Sequence, residues 1–262
     1  NQTSLLSTAT FDQNFNSQPN YIAKIGQPMG MIYGYIYEGT YKYDDFDKSG
    51  SSYTLKGNIP HYVSESNTQP GMPKYKDLNG DGIIDTNDRT MIGRGLPIHT
   101  GGFTNNFEYK GFDLSVFFQW SYGNDVLNAN RLFFDSGFQK KRELNQYASY
   151  TNRWTPENPN SDIPAATNSS SNLVISSRVV EDASFLRLKT VTLGYTVPKT
   201  FLKKYKIDNA RLYVAAQNLW TITGYSGYDP EVSIRSGGLT PGLDFSSYPR
   251  ALSVSFGINL GF

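Results

Sequence analysis

Residues Ala251 to Phe262 read A-L-S-V-S-F-G-I-N-L-G-F. In an extended strand, Leu252, Val254, Phe256, Ile258, Leu260 and Phe262 share one face, and Ala251, Ser253, Ser255, Gly257, Asn259 and Gly261 share the other. One face is apolar throughout; the other is small or polar. A membrane-crossing β-strand takes about 9–11 residues at a tilt, and this stretch has that length. Hydrocarbon offers no water to satisfy a free sheet edge, so a spanning strand requires neighbours that close into a barrel. A soluble sandwich strand with its apolar face turned inward has the same alternation and is the rival reading.

The other strands can be read outward from this one. Arg211 to Thr223 aligns Leu212, Val214, Ala216, Trp220 and Ile222, with Asn218 interrupting the face. Phe185 to Val197 changes phase between Leu186, Leu188 and Val191, Leu193, Tyr195, Val197, which implies a β-bulge or a change of environment with depth. Phe112 to Tyr122 alternates strictly and is joined to Gly101 to Tyr109 by Lys110-Gly111, the length of a tight hairpin turn. Met31 to Tyr41 places Met31, Tyr33, Tyr35, Tyr37 and Tyr41 on one face, a tyrosine ladder suited to a membrane interface or to cross-strand pairing. Residues 1–29 are polar and read as the end of a preceding strand and its connection.

The connections alternate in length. Lys42–Pro97 is long, Lys110–Gly111 short, Asn124–Arg178 long, Pro198–Asp208 shorter and Lys-bearing, and Thr223–Arg250 long. The first long stretch has no sustained period, the second has room for a short helix near Leu127 to Tyr150, and Thr167 to Asn172 is low in complexity. Outer-membrane barrels sort short turns to the periplasm and long loops to the outside. Six antiparallel strands, 31–41, 101–109, 112–122, 185–197, 211–223 and 251–262, reproduce that order. Such barrels begin at about eight strands, so the chain reads as the carboxyl-terminal wall of something larger.

Composition agrees. Of 262 residues 38% are apolar, yet 15% are aromatic, with Tyr 19 and Phe 16. A barrel has this balance, because half of each strand faces a polar lumen and aromatic girdles mark the interfaces; an ordinary extracellular β-protein rich in Tyr has it equally. No run approaches the ~18 apolar residues of a spanning helix, which excludes a helical membrane protein. No signal peptide is visible, and a first residue of Asn1 reads as a processed, cut or partial chain. Cysteine is absent, and the net charge of +1 without charge runs gives no footprint for nucleic acid or for an anionic surface.

Several stretches together resemble the SusC/RagA family of TonB-dependent outer-membrane transporters. They are Y-K-D-L-N-G-D-G-I-I-D from Tyr75, N-N-F-E-Y-K-G-F-D-L-S from Asn105, R-W-T-P-E-N-P from Arg153, S-F-L-R-L-K-T-V-T-L-G-Y from Ser184, A-A-Q-N-L-W-T-I-T-G-Y-S-G-Y-D-P-E from Ala215 and F-G-I-N-L-G-F from Phe256. The resemblance covers most of the chain beyond about residue 25. It implies an all-β, antiparallel transmembrane barrel of roughly 22 strands with long extracellular loops, of which this chain supplies the last strands. It further implies the outer membrane of a Gram-negative bacterium, contact with lipid, import of oligosaccharide, glycan or peptide, and a SusD-like surface lipoprotein as partner. TonB would engage through an amino-terminal part, since the family's TonB box and plug domain have no match in these residues. Phe256, Ile258, Leu260 and the terminal Phe262 resemble the family's aromatic barrel-assembly signal.

Candidate chemistry is confined to the loops. Asp77 to Asp88 matches the calcium pattern D-x-[DN]-x-[DN]-G-x5-[DE]: Asp77, Asn79 and Asp81 supply side-chain oxygens, Ile83 a carbonyl, Asp85 a direct or water-mediated contact and Asp88 the closing carboxylate. A structural Ca2+ is therefore expected there, and a run of Asx turns is the plain alternative. Trp154, Tyr225, Tyr228, Asp229 and Glu231 are candidates for substrate contact or simply for folding the loops together. His61 and His99 lack zinc spacing, and there is neither a cysteine nucleophile nor a G-x-S-x-G elbow, so no enzyme is expected. Two rival functions remain at this level. A non-transporting barrel or adhesin would lack an upstream plug, and a soluble calcium-binding carbohydrate module would bury the 251–262 face.

Overall fold

A computed structural model describes residues 5–9, 20–136, 145–167, 173–234 and 238–262. They divide into two compact units. One comprises Pro97–Asn124, Asp182–Glu231 and Tyr248–Phe262; the other comprises Asn1–Leu96, Asp125–Glu181 and Val232–Ser247.

The first unit is one antiparallel meander. Its strands are β1 (His99–Tyr109), β2 (Phe112–Tyr122), β3 (Phe185–Thr196), β4 (Asn209–Thr223) and β5 (Ser253–Gly261), hydrogen-bonded in chain order. The β1–β2 turn has Lys110 at φ 47 and Gly111 at φ 86. Two consecutive left-handed residues make the primed turn whose twist suits a two-residue hairpin.

The register sorts side chains by chemistry. Phe107, Leu114, Leu193, Val214 and Phe256 form one row across the five strands, and Tyr109, Phe112, Tyr195, Leu212 and Ile258 form the next. On the opposite face the matching rows are Glu108, Asp113, Gly194, Tyr213, Gly257 and Asn106, Ser115, Thr192, Ala215, Ser255. The apolar face is open: Phe107 is 59% exposed, Phe256 82% and Ile258 64%. A water-soluble sandwich would cover such a surface, because contiguous apolar patches of this extent are rare on soluble monomers. No helix among the described residues is long and apolar enough to cross a membrane.

The phase slip read from the sequence is a bulge. Lys189 has no ladder partner on either side, because the register passes from Leu188 to Thr190 opposite both β2 and β4. The extra residue returns Leu186 and Leu188 to the face of Val191 and Leu193, extending the apolar surface through the row Phe103, Phe118, Leu188, Trp220. On β4 the same irregularity is absorbed at Asn218, which sits at φ 53.

The expected strand over 31–41 is not continuous and does not join this sheet. Met31–Gly34 pairs with Tyr21–Lys24 and Thr90–Arg94, whereas Tyr37–Thr40 pairs with Pro73–Tyr75. Between them the Tyr35 amide donates to the Ile175 carbonyl and the Tyr35 carbonyl accepts from Ser177. A side chain at Gly34 would strike that Ile175 carbonyl, so the glycine permits the close approach that breaks the strand. Tyr35 and Tyr41 of the tyrosine ladder are accordingly core residues and not an interface belt, and Tyr35 packs with Tyr62 and Tyr75, ring centroids 5.3 to 5.6 Å apart. Burial pushes the Tyr75 hydroxyl well above its ordinary range.

The long connections also hold more structure than their lack of period suggests. Phe46–Ser49 pairs with Ser52–Leu55, and Asp125–Asn128 runs parallel to Leu243–Asp244. The expected helix near Leu127 to Tyr150 is a five-residue helix, Asn130–Phe134, and a 3-10 turn, Ala148–Asn152; residues 137–144 lie outside the described residues. Tyr21, Ile32, Leu127, Leu132, Ile175 and Leu243 form the largest core cluster of this second unit. Leu5–Ala9, in the stretch expected to end a preceding strand, pairs with Tyr21–Lys24. Of the low-complexity run only Thr167 is within the described residues.

Gly194 tests the packing of the polar face. The Arg211–Asp113 ion pair passes over it, and a Cβ there would lie within 2.4 Å of both partners. In the full-length protein, Gly194→Val is expected to displace the pair and cost ~1–3 kcal/mol, the usual range for overpacking. Ser255→Thr, in an exposed position, is expected to change little. The temperature at which the protein loses compact migration in detergent gels measures both, and equal values for the two variants would contradict the packing.

Candidate functional site

The polar face of the sheet carries one concentrated charge cluster. The β3 alternation that directs Leu186 and Leu188 to the apolar face directs Arg187 to the polar one, where it is 3% exposed. Its Nη2 donates to Asp229 Oδ1 at 2.6 Å, its Nη1 to Glu231 Oε2 at 3.1 Å and its Nε to Thr221 Oγ1 at 3.0 Å. Its guanidinium also lies 5.1 Å from the Phe185 ring centre. Both acids belong to the segment after β4, so one arginine ties that segment to the wall.

Neighbouring groups complete the cluster. Arg250 Nη1 donates to Glu231 Oε2, and Gln119 Nε2 donates to Glu231 Oε1 at 3.3 Å. The bulge residue Lys189 donates to Gln119 Oε1 at 2.6 Å and stands 3.6 Å from Glu231 Oε2. The Glu231 amide donates to Asp229 Oδ1 at 2.9 Å. Burial acts to raise the Asp229 carboxyl, but the Glu231 amide and the Arg187 guanidinium outweigh it and hold it below the ordinary carboxylate range. Three cations, Arg187, Lys189 and Arg250, against two acids, Asp229 and Glu231, leave the strap with one net positive charge.

The predicted contact residues separate on this geometry. Asp229 and Glu231 are bound within the strap. Tyr225 is buried, its ring lying over Gly227, where a Cβ would come within 2.4 Å of it. Tyr228, between them, is 84% exposed and is the member of the group presented to solvent. Trp154 lies in the other unit, buried, with its ring 5.5 Å from that of Tyr43 and its edge against Gly71. Phe256, Ile258, Leu260 and Phe262 are all exposed on the apolar side. Arg187, Lys189, Arg250 and Gln119 did not stand out in the sequence. The available signal was the R-L-K around Leu188, two basic residues on the polar side of a spanning strand.

The Asp77–Asp88 loop is closed by its own amides. Asp77 accepts from Gly80 at 2.7 Å and Gly82 at 2.8 Å, Asn79 from Asp81 at 2.9 Å and Asp81 from Ile83 at 2.8 Å. Amide donation, from Gly82 foremost, holds the half-buried Asp77 carboxyl below its usual range. Asp88 is fully buried and accepts from Leu78 and Asp85, both at 2.8 Å. Asp85 accepts from Asn87 at 2.7 Å. Among the described residues no three His, Cys, Asp or Glu side chains converge as a metal-holding group.

No family model matches the chain. Among curated proteins it is 37% identical to TonB-dependent receptor P3 of Formosa agariphila over 254 residues, 95% of this chain and 24% of that protein. It is 29% identical to TonB-dependent receptor SusC of Bacteroides thetaiotaomicron over 201 residues, 76% of this chain and 18% of that protein. Among solved structures it superposes on a chain of the RagAB peptide transporter with a TM-score of 0.66 and 28% identity, covering 93% of this chain and 24% of that one. The chain thus spans about a quarter of the length of P3 and of that RagAB chain. These relatives are receptors and transporters, not enzymes.

Replacing Arg187 with Met in the full-length protein leaves two acids without their shared partner, an expected loss of ~3–5 kcal/mol. Because the folded-state pKa of Asp229 is depressed, its contribution is complete above the ordinary aspartate value of ~3.9 and declines as pH falls through the lower folded value. Protease cleavage between Gly224 and Glu231 is therefore expected to rise on acidification below about pH 4 in wild type. In Arg187→Met it should be high already at pH 7. A wild-type segment equally resistant at pH 7 and pH 2 would contradict the strap.

Proposed function

Because the chain belongs to the SusC/RagA type of TonB-dependent receptors, we propose that it forms part of the wall of an outer-membrane barrel that imports an oligosaccharide or peptide nutrient. The observation that carries this reading is the two-faced sheet, apolar and open on one side, polar and charge-lined on the other, continuous over five strands. The apolar side faces lipid and the polar side the lumen, as barrel construction demands. All long connections leave the sheet at one end, where Tyr122, Phe185 and Thr223 lie, and the short ones at the other. The long end faces outward in this reading, and a SusD-like lipoprotein meets the receptor there. RagAB, a peptide transporter, supports the peptide arm; the oligosaccharide arm rests on the family resemblance of the sequence motifs.

The experiment is uptake by cells carrying the full-length receptor gene or its deletion, given labelled peptides in one arm and labelled oligosaccharides in the other. The expected result is uptake in one arm that needs both the receptor and TonB, together with co-purification of a surface lipoprotein. Uptake unchanged by loss of TonB would sink the proposal.

Calcium at Asp77–Asp88 is proposed on spacing. Carboxylate and amide oxygens that accept one N–H bond retain a second lone pair for a cation. Titration of the full-length receptor with Ca2+ is expected to release heat at one site that Asp77→Asn with Asp81→Asn abolishes. An unchanged titration in that variant assigns the loop to Asx turns alone.

A further inference from the structure

The short-turn end of the sheet carries a surface that the import reading leaves unused. Four features meet there: the Lys110–Gly111 turn, the connection Val197–Asp208, the start of β4 and the end of β5. The Thr196 amide donates to the Gly111 carbonyl at 2.7 Å, Val197 to Ala210 at 2.9 Å and Asp208 to Gly261 at 2.8 Å, so the turns are fastened to one another and to β5. The connection folds into a helical turn, Lys199–Leu202, and a 3-10 turn, Lys203–Tyr205, ended by Lys206 at φ 56. Leu202 is buried beneath it, whereas Phe201 and Tyr205 are 70% and 68% exposed.

Two rings of chemistry result. Tyr109, Phe112, Phe201, Tyr205 and Phe262 are all exposed aromatics at this end. Lys110, Lys199, Lys203, Lys204 and Lys206 are exposed beside them, and none makes an ion pair among the described residues. The acids of these turns are Glu108, Asp113 and Asp208, and Asp113 is already paired with Arg211. The balance is therefore positive, and the aromatic belt fixes the depth at which the lysines stand, at the level of lipid headgroups.

We propose that this end binds the phosphate-bearing headgroups of anionic phospholipid in the membrane leaflet on the short-turn side. Phe201 and Tyr205 enter the boundary of that leaflet while the lysines of the same connection reach the phosphates. The inference rests on the outer-membrane reading above. It adds a lipid-selective contact that the barrel fold alone does not require, because an aromatic belt without lysines would sit as well in zwitterionic lipid. Lysines near an anionic surface contribute by simple charge attraction, which salt screens.

The test is native mass spectrometry of the full-length receptor after reconstitution in vesicles of equal phosphatidylcholine and phosphatidylglycerol. Wild type is expected to retain phosphatidylglycerol in roughly fivefold excess, the effect of about one well-placed lysine. The excess should vanish in K199Q/K203Q/K204Q/K206Q and when vesicles are washed in about 1 M salt before extraction. Should the quadruple variant fail to insert, K203Q/K204Q is expected to reduce the excess at least by half. Equal retention of the two lipids by inserted wild type overturns the proposal and leaves the lysines to an acidic periplasmic protein. An excess untouched by the lysine variants overturns it too. Failure of wild type to insert into any vesicle overturns the outer-membrane reading along with it.

Discussion

Everything in the sheet depends on one phase relation: each strand must present apolar side chains to one side for its whole length while all its backbone groups are paired to neighbours. Hydrocarbon enforces this more strictly than water, because an unpaired amide or a misdirected polar side chain has no solvent to turn to. β3 keeps its apolar phase even where its own period fails. Leu186 and Leu188 are out of step with Val191 and Leu193, and the unpaired Lys189 restores the phase. The bulge also gives the polar face a cation, since Lys189 reaches Gln119 and the neighbourhood of Glu231.

The polar face is packed by a different logic. Asp113, Gly194, Tyr213 and Gly257 stand side by side across four strands, alternating a long side chain with none. The Arg211–Asp113 pair occupies the space over Gly194, and the Tyr213 ring that over Gly257. Towards the long-loop end the same face holds Arg187, which takes two acids from the segment after β4. A single buried guanidinium with paired carboxylates is a demanding arrangement, because removing either side leaves a charge with no compensation. The wall and the segment attached to it are consequently one energetic unit.

How far these features could be read from the sequence follows from their range. The β1–β2 hairpin, the bulge in β3 and the interruption at Asn218 are local, and the alternation of side chains carries each of them. The sorting of long and short connections was likewise legible, because length needs no tertiary information. The tyrosine ladder at Met31 to Tyr41 was not: its alternation is that of a spanning strand, yet the backbone breaks where Gly34 admits Ile175, a residue far along the chain. The Arg187 strap was hidden for the same reason. Asp229 and Glu231 drew attention as exposed acids, and only the fold shows that an arginine more than forty residues earlier claims both, as the sequence separations of 42 and 44 make plain. Trp154 looked like a contact residue because tryptophan in a polar loop is conspicuous, but Gly71 and Tyr43 enclose it.

In this reading the two faces of β5 meet different media, and the 262 residues contain no cysteine, so single labels can be placed on β5 once any cysteine elsewhere in the full-length receptor is replaced. Single cysteines at Val254, Phe256, Ser255 and Asn259 of the full-length receptor, spin-labelled in a bilayer, report access to dissolved oxygen and to a water-soluble relaxant. Labels at Val254 and Phe256 are expected to respond to oxygen and those at Ser255 and Asn259 to the aqueous relaxant. If all four positions were shielded from both, the sheet would be the covered layer of a soluble domain, and the barrel wall would be contradicted.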